Sequence, residues 1–171
     1  EFIEEPRVRP DLEIGIWTGS VVRALHALFQ FDRIAACDHG WAERLGLRIR
    51  LPRGTRFLRA DSDSAAFRRW RAALGHVDLV LIDANHAYAA VQRDHCINRA
   101  HPHRFLAYHD IAGTRQRRTD GVARFWAELD DPKLEIVRPH RELGIDHSPM
   151  GIGIWGAELR APGGAAAGVA T

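Results

Sequence analysis

The chain has 171 residues and a mass of 19.2 kDa, which bounds it to one compact domain with at most a tail. Its 24 Lys+Arg against 22 Asp+Glu leave a formal charge of +2, too balanced for a dedicated nucleic-acid binder or a polybasic membrane binder. With 46% hydrophobic and 27% charged residues, it has the apolar material for a core and does not read as a disordered chain. Lys133 is the single lysine, so the arginine excess reads mostly as background composition. The first residue is Glu1 rather than Met, which points to a processed or fragmentary N-terminus. Cys37 and Cys96 form neither a disulfide framework nor a metal-type spacing. Cys37 sits in an apolar run and is expected as a buried, reduced thiol. No apolar run approaches the ~18 residues of a membrane span, and no signal-peptide pattern opens the chain. The expected setting is soluble, reducing and cytoplasmic, with no membrane partner.

Strand-length apolar runs alternate with segments of helical period. Leu12–Trp17 predicts a first strand, and Ser20–Phe29 a helix with Val21, Val22, Leu25, Leu28 and Phe29 on one face. Arg33–Asp38 predicts a second strand, Trp41–Leu45 a turn or two of helix, and Arg56–Ala60 a third strand. Ser62 or Asp63 is the expected cap of a helix that runs through Leu74 and stops at Gly75. Val77–Ile82 is nearly all apolar, as a strand buried on both faces should be. Then come a helix at Ala87–Arg99, a strand at Arg104–Tyr108 and a helix at Thr119–Leu129. Strands at Leu134–Arg138 and Gly151–Leu159 close the set, the last pair able to meet antiparallel at one sheet edge. This alternation implies βαβ units and a mostly parallel sheet. The Gly/Ala-rich residues 161–171 read as a disordered tail.

Open α/β sheets bind ligands at the carboxyl ends of their strands, so the residues just past each strand carry the information. After strand one comes the glycine turn Gly15-Ile16-Trp17-Thr18-Gly19-Ser20, which permits close ligand approach beside the free N–H groups of a helix start. After strand two comes Asp38, an acid able to accept both hydroxyls of a ribose. Asp61-Ser62-Asp63-Ser64 follows strand three, Asp83-Ala84-Asn85-His86 strand four and His109-Asp110 strand five. Adjacent parallel strands lie ~4.8 Å apart, so Asp83 and Asp110 come within reach of one divalent ion such as Mg²⁺. His86 is then a candidate general base beside that point. Read singly, each of these groups is equally well a cap, a loop residue or a solvated strand end. The run Arg115, Arg117 and Arg118 past strand five reads first as surface, and second as a contact for an anionic substrate. His101, His103, His140 and His147 read as loop histidines; Asp146 and His147 sit in a long loop that can border a substrate.

Taken together, these residues resemble a family. Glu13-Ile14-Gly15-Ile16-Trp17-Thr18-Gly19 is similar to the first motif of class I S-adenosylmethionine-dependent methyltransferases. Leu81-Ile82-Asp83-Ala84-Asn85-His86-Ala87-Tyr88, with Val91 and Asp94, resembles the signature of the small-molecule branch called methyltransferase family 24. His109-Asp110, Gly121-Val122, Phe125-Trp126 and the closing Gly151-Ile152-Gly153-Ile154 fit the same branch. The resemblance implies a Rossmann-like three-layer α/β sandwich on a seven-stranded, mostly parallel sheet of order 3-2-1-4-5-7-6, with strand seven antiparallel. It implies Glu13, Gly15, Trp17 and Gly19 at the cofactor turn, Asp38 on the ribose, Asp61 and Ser62 near the adenine, and Asp83 under the methionine end. It further implies His86 and Asp83 as catalytic residues and Asp83, His109 and Asp110 as ligands of Mg²⁺ or another divalent cation. Two positions depart from the pattern: Trp17 replaces the middle glycine of the first motif, and His109 replaces the first acid of the strand-five pair.

The expected activity is therefore methyl transfer from S-adenosylmethionine to a hydroxyl of a small molecule, such as a sugar or natural product, with metal assistance. The alternative is a non-catalytic cofactor-binding or protein-interaction module of the same fold. A dehydrogenase would want a third glycine that GIWTGS lacks. The Asn/Asp-Pro-Pro-aromatic run of amino-group methylation is absent after strand four, and nucleic acid is not the expected partner. Residues 1–160 are expected as a single methyltransferase-like domain lacking most of an N-terminal cap. A second subunit is then a candidate to complete the substrate site.

Overall fold

A computed structural model of the chain describes residues 10–112, 120–130, 132–137 and 151–159. The strands are β1 (Pro10–Ile14), β2 (Arg33–Asp38), β3 (Arg56–Arg59), β4 (Val77–Ile82), β5 (His103–His109), β6 (Lys133–Ile136) and β7 (Ile152–Trp155). The helices are α1 (Ser20–Phe29), α2 (Trp41–Arg44), α3 (Ala65–Leu74), α4 (Tyr88–Arg99) and α5 (Asp120–Glu128). All seven strands join one sheet in the order β3-β2-β1-β4-β5-β7-β6. Neighbours from β3 to β5 pair parallel, whereas β7 runs antiparallel to both β5 and β6. The expected order and the single reversed strand are both found. Residues 1–9, the arginines at 115, 117 and 118, the histidines at 140 and 147 with Asp146, and residues 161–171 lie outside the described residues.

The sheet has apolar clusters on both faces. Leu12, Ile14, Val80, Ile82, Leu106 and Tyr108 pack on one side with Phe67 of α3, Val91 of α4 and Val122, Phe125 and Trp126 of α5. Ile34 and Ala36 pack on the other with Val22 of α1, Ile16 and Phe31. No helix among the described residues is long and apolar enough to cross a membrane.

Several boundaries differ from expectation: the last strand ends at Trp155, before a 3-10 turn at Ala157–Leu159, β6 ends at Ile136 rather than Arg138, β5 begins at His103 rather than Arg104, and two further differences bear on the site. The first strand ends at Ile14, not Trp17, because Gly15 takes φ +84° and turns the chain out of the sheet. A Cβ at Gly15 would stand 2.1 Å from the Asp83 carbonyl oxygen, so the turn presses directly on the end of β4. Backbone hydrogen bonds fix that approach: Gly15 N–H donates to the Cys37 carbonyl at 2.8 Å, and Asp83 N–H to Ile14 at 2.8 Å. The third helix is capped by Ser64 rather than by Ser62 or Asp63; the Ser64 hydroxyl accepts from the Phe67 N–H at 3.0 Å, in the usual N-cap geometry.

Alternation along β1 sends Leu12 and Ile14 to the α3–α5 side and Asp11 and Glu13 to the opposite face. Their register partners there are Ile34 and Leu79 for Asp11, and Ala36 and Leu81 for Glu13. Both acids are 1% exposed. Neither Asp11 oxygen, nor Oε2 of Glu13, has a hydrogen-bond partner. Burial pushes the Asp11 carboxyl up to about 7. Burial, with Asp11 and Asp83 nearby, pushes Glu13 up to about 9.

These facts generate two predictions. Gly15→Ala should cost at least ~2 kcal/mol in a denaturant titration, since both its positive φ and the Asp83 backbone oppose a side chain. A loss under ~0.5 kcal/mol would mean that β1 and β4 can part freely at this point. The second concerns pH. Glu13 binds its proton more tightly folded than unfolded, so its contribution is fully present below pH 4.5 and is lost as pH rises towards about 9. Glu13→Gln, which removes the ionisable group, should therefore stabilise the chain by a few kcal/mol near pH 8 and by little at pH 4. Equal effects at the two pH values would show that Glu13 ionises normally in the fold.

Candidate active site

The carboxylate of Asp38, 6% exposed, organises the turns at the ends of β1 and β2. Its Oδ2 accepts from the N–H groups of Ile16 at 3.1 Å and Trp17 at 3.2 Å. Its Oδ1 accepts from Gly40 at 2.5 Å and Trp41 at 3.3 Å. Charge-assisted bonds of this kind are roughly twice as strong as neutral ones. They hold Trp17 in the left-handed region, φ 51°, a conformation that costs a bulky residue roughly 1–2 kcal/mol. The indole is 45% exposed and stands at the mouth of a cleft.

That cleft has a volume of about 460 Å³, within the range of small-molecule sites. Of the sequence-predicted residues, Gly15, Trp17, Asp38, Asp61, Ser62, Asp83 and His86 all line it. Glu13 and Gly19 do not: Glu13 is buried in the sheet, and Gly19 caps α1. A Cβ at Gly19 would lie 2.4 Å from the Arg50 carbonyl oxygen, so its part is to let the turn pack against that segment. The walls also include Cys37, His39, Trp41 and Asn85, which sequence reasoning missed. Applying the strand-end rule up to three residues past Asp38 would have found His39 and Trp41, while Asn85 lies in the strand-four end already singled out. The rings of His39 and Trp41 stack 6.2 Å apart at 5°. Cys37 is a free, buried thiol, pushed up to about 12 by burial, and its Sγ donates to the Ala60 carbonyl at 3.3 Å; it is an inert wall.

At the end of β4 the cleft meets a cluster of two acids and two histidines. His86 Nε2 lies 3.2 Å from Asp83 Oδ1, and its Nδ1 lies 3.5 Å from Asp110 Oδ2. His109 Nδ1 lies 3.2 Å from Asp110 Oδ1 and 3.6 Å from Asp83 Oδ1. Hydrogen bonding to Asp83 is the main cause that holds the His86 imidazole above its ordinary range, and Asp110 does the same for His109. One ligand atom each from Asp83, His109 and Asp110 lies within 4.8 Å of the others, as the strand spacing predicts. Asp110 is 4% exposed, and His109 Nδ1, at 3.2 Å, is the one donor beside its Oδ1 among the described residues. The loop that carries His86 is pinned from above by α5, where a Cβ at Gly121 would come 2.3 Å from the His86 carbonyl oxygen and the Tyr88 nitrogen.

Behind the cleft, α4 braces the loop after β3. Arg93 pairs with Asp63 at 3.2 Å. Asp94, 1% exposed, is pushed up to about 6 by burial, with the neighbouring Ser62 hydroxyl pulling the other way.

Comparison with known proteins agrees with this architecture. No curated protein matches the sequence. Among solved structures, the O-methyltransferase TomG from Streptomyces achromogenes, in complex with S-adenosylmethionine, superposes with a TM-score of 0.54 at 14% identity, covering 86% of this chain and 72% of its own. The MycE methyltransferase of the mycinamycin pathway, in complex with Mg, S-adenosylhomocysteine and mycinamycin VI, gives 0.56 at 16% identity, covering 95% and 48%. A spermidine synthase from Thermotoga maritima gives 0.59 at 8% identity, covering 90% and 54%. At such identities these similarities establish the fold alone. The family is settled by sequence, because a profile described as a methyltransferase domain matches residues 12–111, more than half of the chain. The chain belongs to methyltransferase family 24 and is an S-adenosylmethionine-dependent methyltransferase of Rossmann-like fold.

Proposed function

We propose that this methyltransferase is O-directed and acts on a hydroxyl of a small molecule, such as a sugar or natural product, with a divalent cation at the strand-end cluster. The observation that carries the reading is the position of Asp83, which lines the cofactor cleft and also touches His86 and His109. A donor site and an acid–base site thus share one residue. The similar fold of TomG, named as an O-methyltransferase, and of MycE, described with Mg, supports the reading.

The residues present fit the groups invoked. The cleft has room for a ligand of cofactor size, with polar groups converging on a largely apolar wall. The buried Oδ1 of Asp110, beside Asp83 and His109, suits a cation. Bound in the cleft, S-adenosylmethionine supplies an electrophilic methyl group on its sulfonium. Asp38 anchors the ribose side through the two turns it holds, since the four N–H groups of those turns take up its acceptor sites. Asp61 and Ser62 form the adenine end, and Gly15, Trp17 and Gly19 shape the turn between them, with Glu13 buried beneath. Asp83, His109 and Asp110 would hold the cation, which lowers the acidity barrier of an adjacent hydroxyl. His86 takes the acceptor's proton as the oxygen attacks. Asp83 orients the ring for that step from hydrogen-bond reach, at 3.2 Å.

His86→Ala should lower kcat ~100-fold or more while changing the cofactor Kd less than ~2-fold, because a base contributes ~10²–10⁴ in rate. Calorimetry alongside a methyl-release assay reads both, and parallel loss of the two would refute the base assignment. Asp38→Ala should weaken cofactor binding ~10-fold or more, as four buried hydrogen bonds are lost. An unchanged titration would remove Asp38 from the site. Cofactor binding without methyl release across hydroxyl acceptors would instead favour a binding module.

A further inference from the structure

We infer that the cluster of Asp83, His109 and Asp110 selects a first-row transition dication, such as Mn²⁺ or Co²⁺, over Mg²⁺. The inference rests on the cation site of the proposed function and names the class of ion it takes. Three observations carry it. First, the donor atoms converge: one each from Asp83, His109 and Asp110 lies within 4.8 Å of the others. Ligands with bond lengths near 2.1 Å stand at most about 4.2 Å apart, so a small side-chain adjustment brings the three donors onto one ion. Second, Asp110 is 4% exposed and its Oδ1 accepts no aligned hydrogen bond, having only His109 Nδ1 near it at 3.2 Å among the described residues. A buried carboxylate oxygen left open in this way costs free energy unless something positive meets it. Third, the donor set is mixed. His109, the last residue of β5, offers an imidazole nitrogen where an all-oxygen site would place a third carboxylate.

That exchange matters on two counts. It removes one negative charge, which weakens attraction for every dication. It also replaces a hard oxygen with a borderline nitrogen. Mg²⁺ demands near-ideal octahedral oxygen coordination and gives up its waters reluctantly. Imidazole donors recover affinity for Mn²⁺, Fe²⁺, Co²⁺ and Zn²⁺, along the usual order for nitrogen and oxygen sites. The geometry keeps His109 available for this part, since its Nδ1 faces both Asp110 Oδ1 at 3.2 Å and Asp83 Oδ1 at 3.6 Å. His86 has a separate place, with a ring nitrogen towards each carboxylate, and is not counted among the three donors.

The test is a metal titration of purified, metal-stripped protein by calorimetry, with Co²⁺, Mn²⁺ and Mg²⁺ run separately. Visible absorption of the Co²⁺ form reports nitrogen ligation independently of turnover. Co²⁺ should bind at least ~10-fold more tightly than Mg²⁺, and Mn²⁺ more tightly than Mg²⁺ by a smaller factor. His109→Asp should reverse the preference, tightening Mg²⁺ and loosening Co²⁺. His109→Asn should loosen Co²⁺ without any gain for Mg²⁺. Equal or tighter Mg²⁺ binding by the unaltered protein, or binding of none of the three ions, overturns the inference, and neither result depends on a variant folding. S-adenosylhomocysteine binding measured on the same samples separates the two readings. Cofactor bound without a Co²⁺ preference defeats the metal inference alone. A Co²⁺ preference without cofactor binding upholds it and defeats the cofactor reading.

Discussion

Four backbone N–H groups from two separate turns end on one buried carboxylate, that of Asp38. The cleft depends on this arrangement. The turn after β1 contains a bulky residue in a left-handed conformation, which a loop left to itself would relax. The turn after β2 has no hydrophobic staple and leads into a four-residue helix, too short to be stable alone. A single short acid satisfies the exposed donors of both turns, and its own burial keeps the interaction from being diluted by water. Gly15 completes the constraint from the other side, because only a residue without Cβ lets the first turn close down on β4. The floor and one wall of the cleft are thus set by backbone, and the side chains that line it can vary without collapsing it.

Much of this was legible in the residues. The bounds of β2 and β4 match their apolar runs, because strands buried on both faces must be nearly continuous in hydrophobic residues. The strand order followed from the family resemblance and the single reversed strand from the missing helix pattern before Gly151. The bounds of β1 were misjudged for a local reason: Ile16 and Trp17 are apolar, but one is buried against α1 and the other faces solvent beyond the glycine turn. Hydrophobicity marked them as strand, and the backbone conformation of Gly15 overruled it. The cap of α3 shifted by one or two residues because Ser62, Asp63 and Ser64 are all competent caps, and only the loop length after β3 chooses among them.

The polar interior was not legible. Arg71 is fully buried, with its guanidinium donating to the Asn98 side chain at 3.0 Å and to the carbonyls of Gly75 at 3.0 Å and Pro102 at 3.2 Å. It ties α3, α4 and the start of β5 together without a counter-charge among the described residues. His95 lies buried on the Tyr108 hydroxyl at 2.6 Å, and burial pushes it down to about 4. Helix α4 therefore buries Asp94, His95 and Asn98 along with its apolar positions, and its hydrophobic periodicity is correspondingly weak. A rule that places polar residues outside reads such a helix as half exposed. For Arg71 and His95 the cost of enclosure is offset by hydrogen bonds to the Pro102 carbonyl, the Asn98 side chain and the Tyr108 hydroxyl, partners set by tertiary structure rather than by spacing.

The fold by itself does not choose a reaction. A spermidine synthase shares it at a TM-score of 0.59 and only 8% identity. What distinguishes one enzyme from another on this sheet is the handful of side chains at its carboxyl edge, where neighbouring strands bring residues distant in sequence to within a few ångströms. Here Asp83 ends β4, His109 ends β5 and Asp110 follows it, while His86 returns to the same point on a loop that α5 presses into place through Gly121. Each of these groups would be an ordinary strand-end residue elsewhere. Their meaning comes from the register between β4 and β5, in which Ile82 pairs with Tyr108, so that the next residue of each strand, Asp83 and His109, falls side by side. A shift of one residue in that register would turn one of the pair to the opposite face of the sheet. The tightly packed cores of these two strands, Val80 and Ile82 against Leu106 and Tyr108, are therefore as much a part of the site as the groups that would touch a ligand.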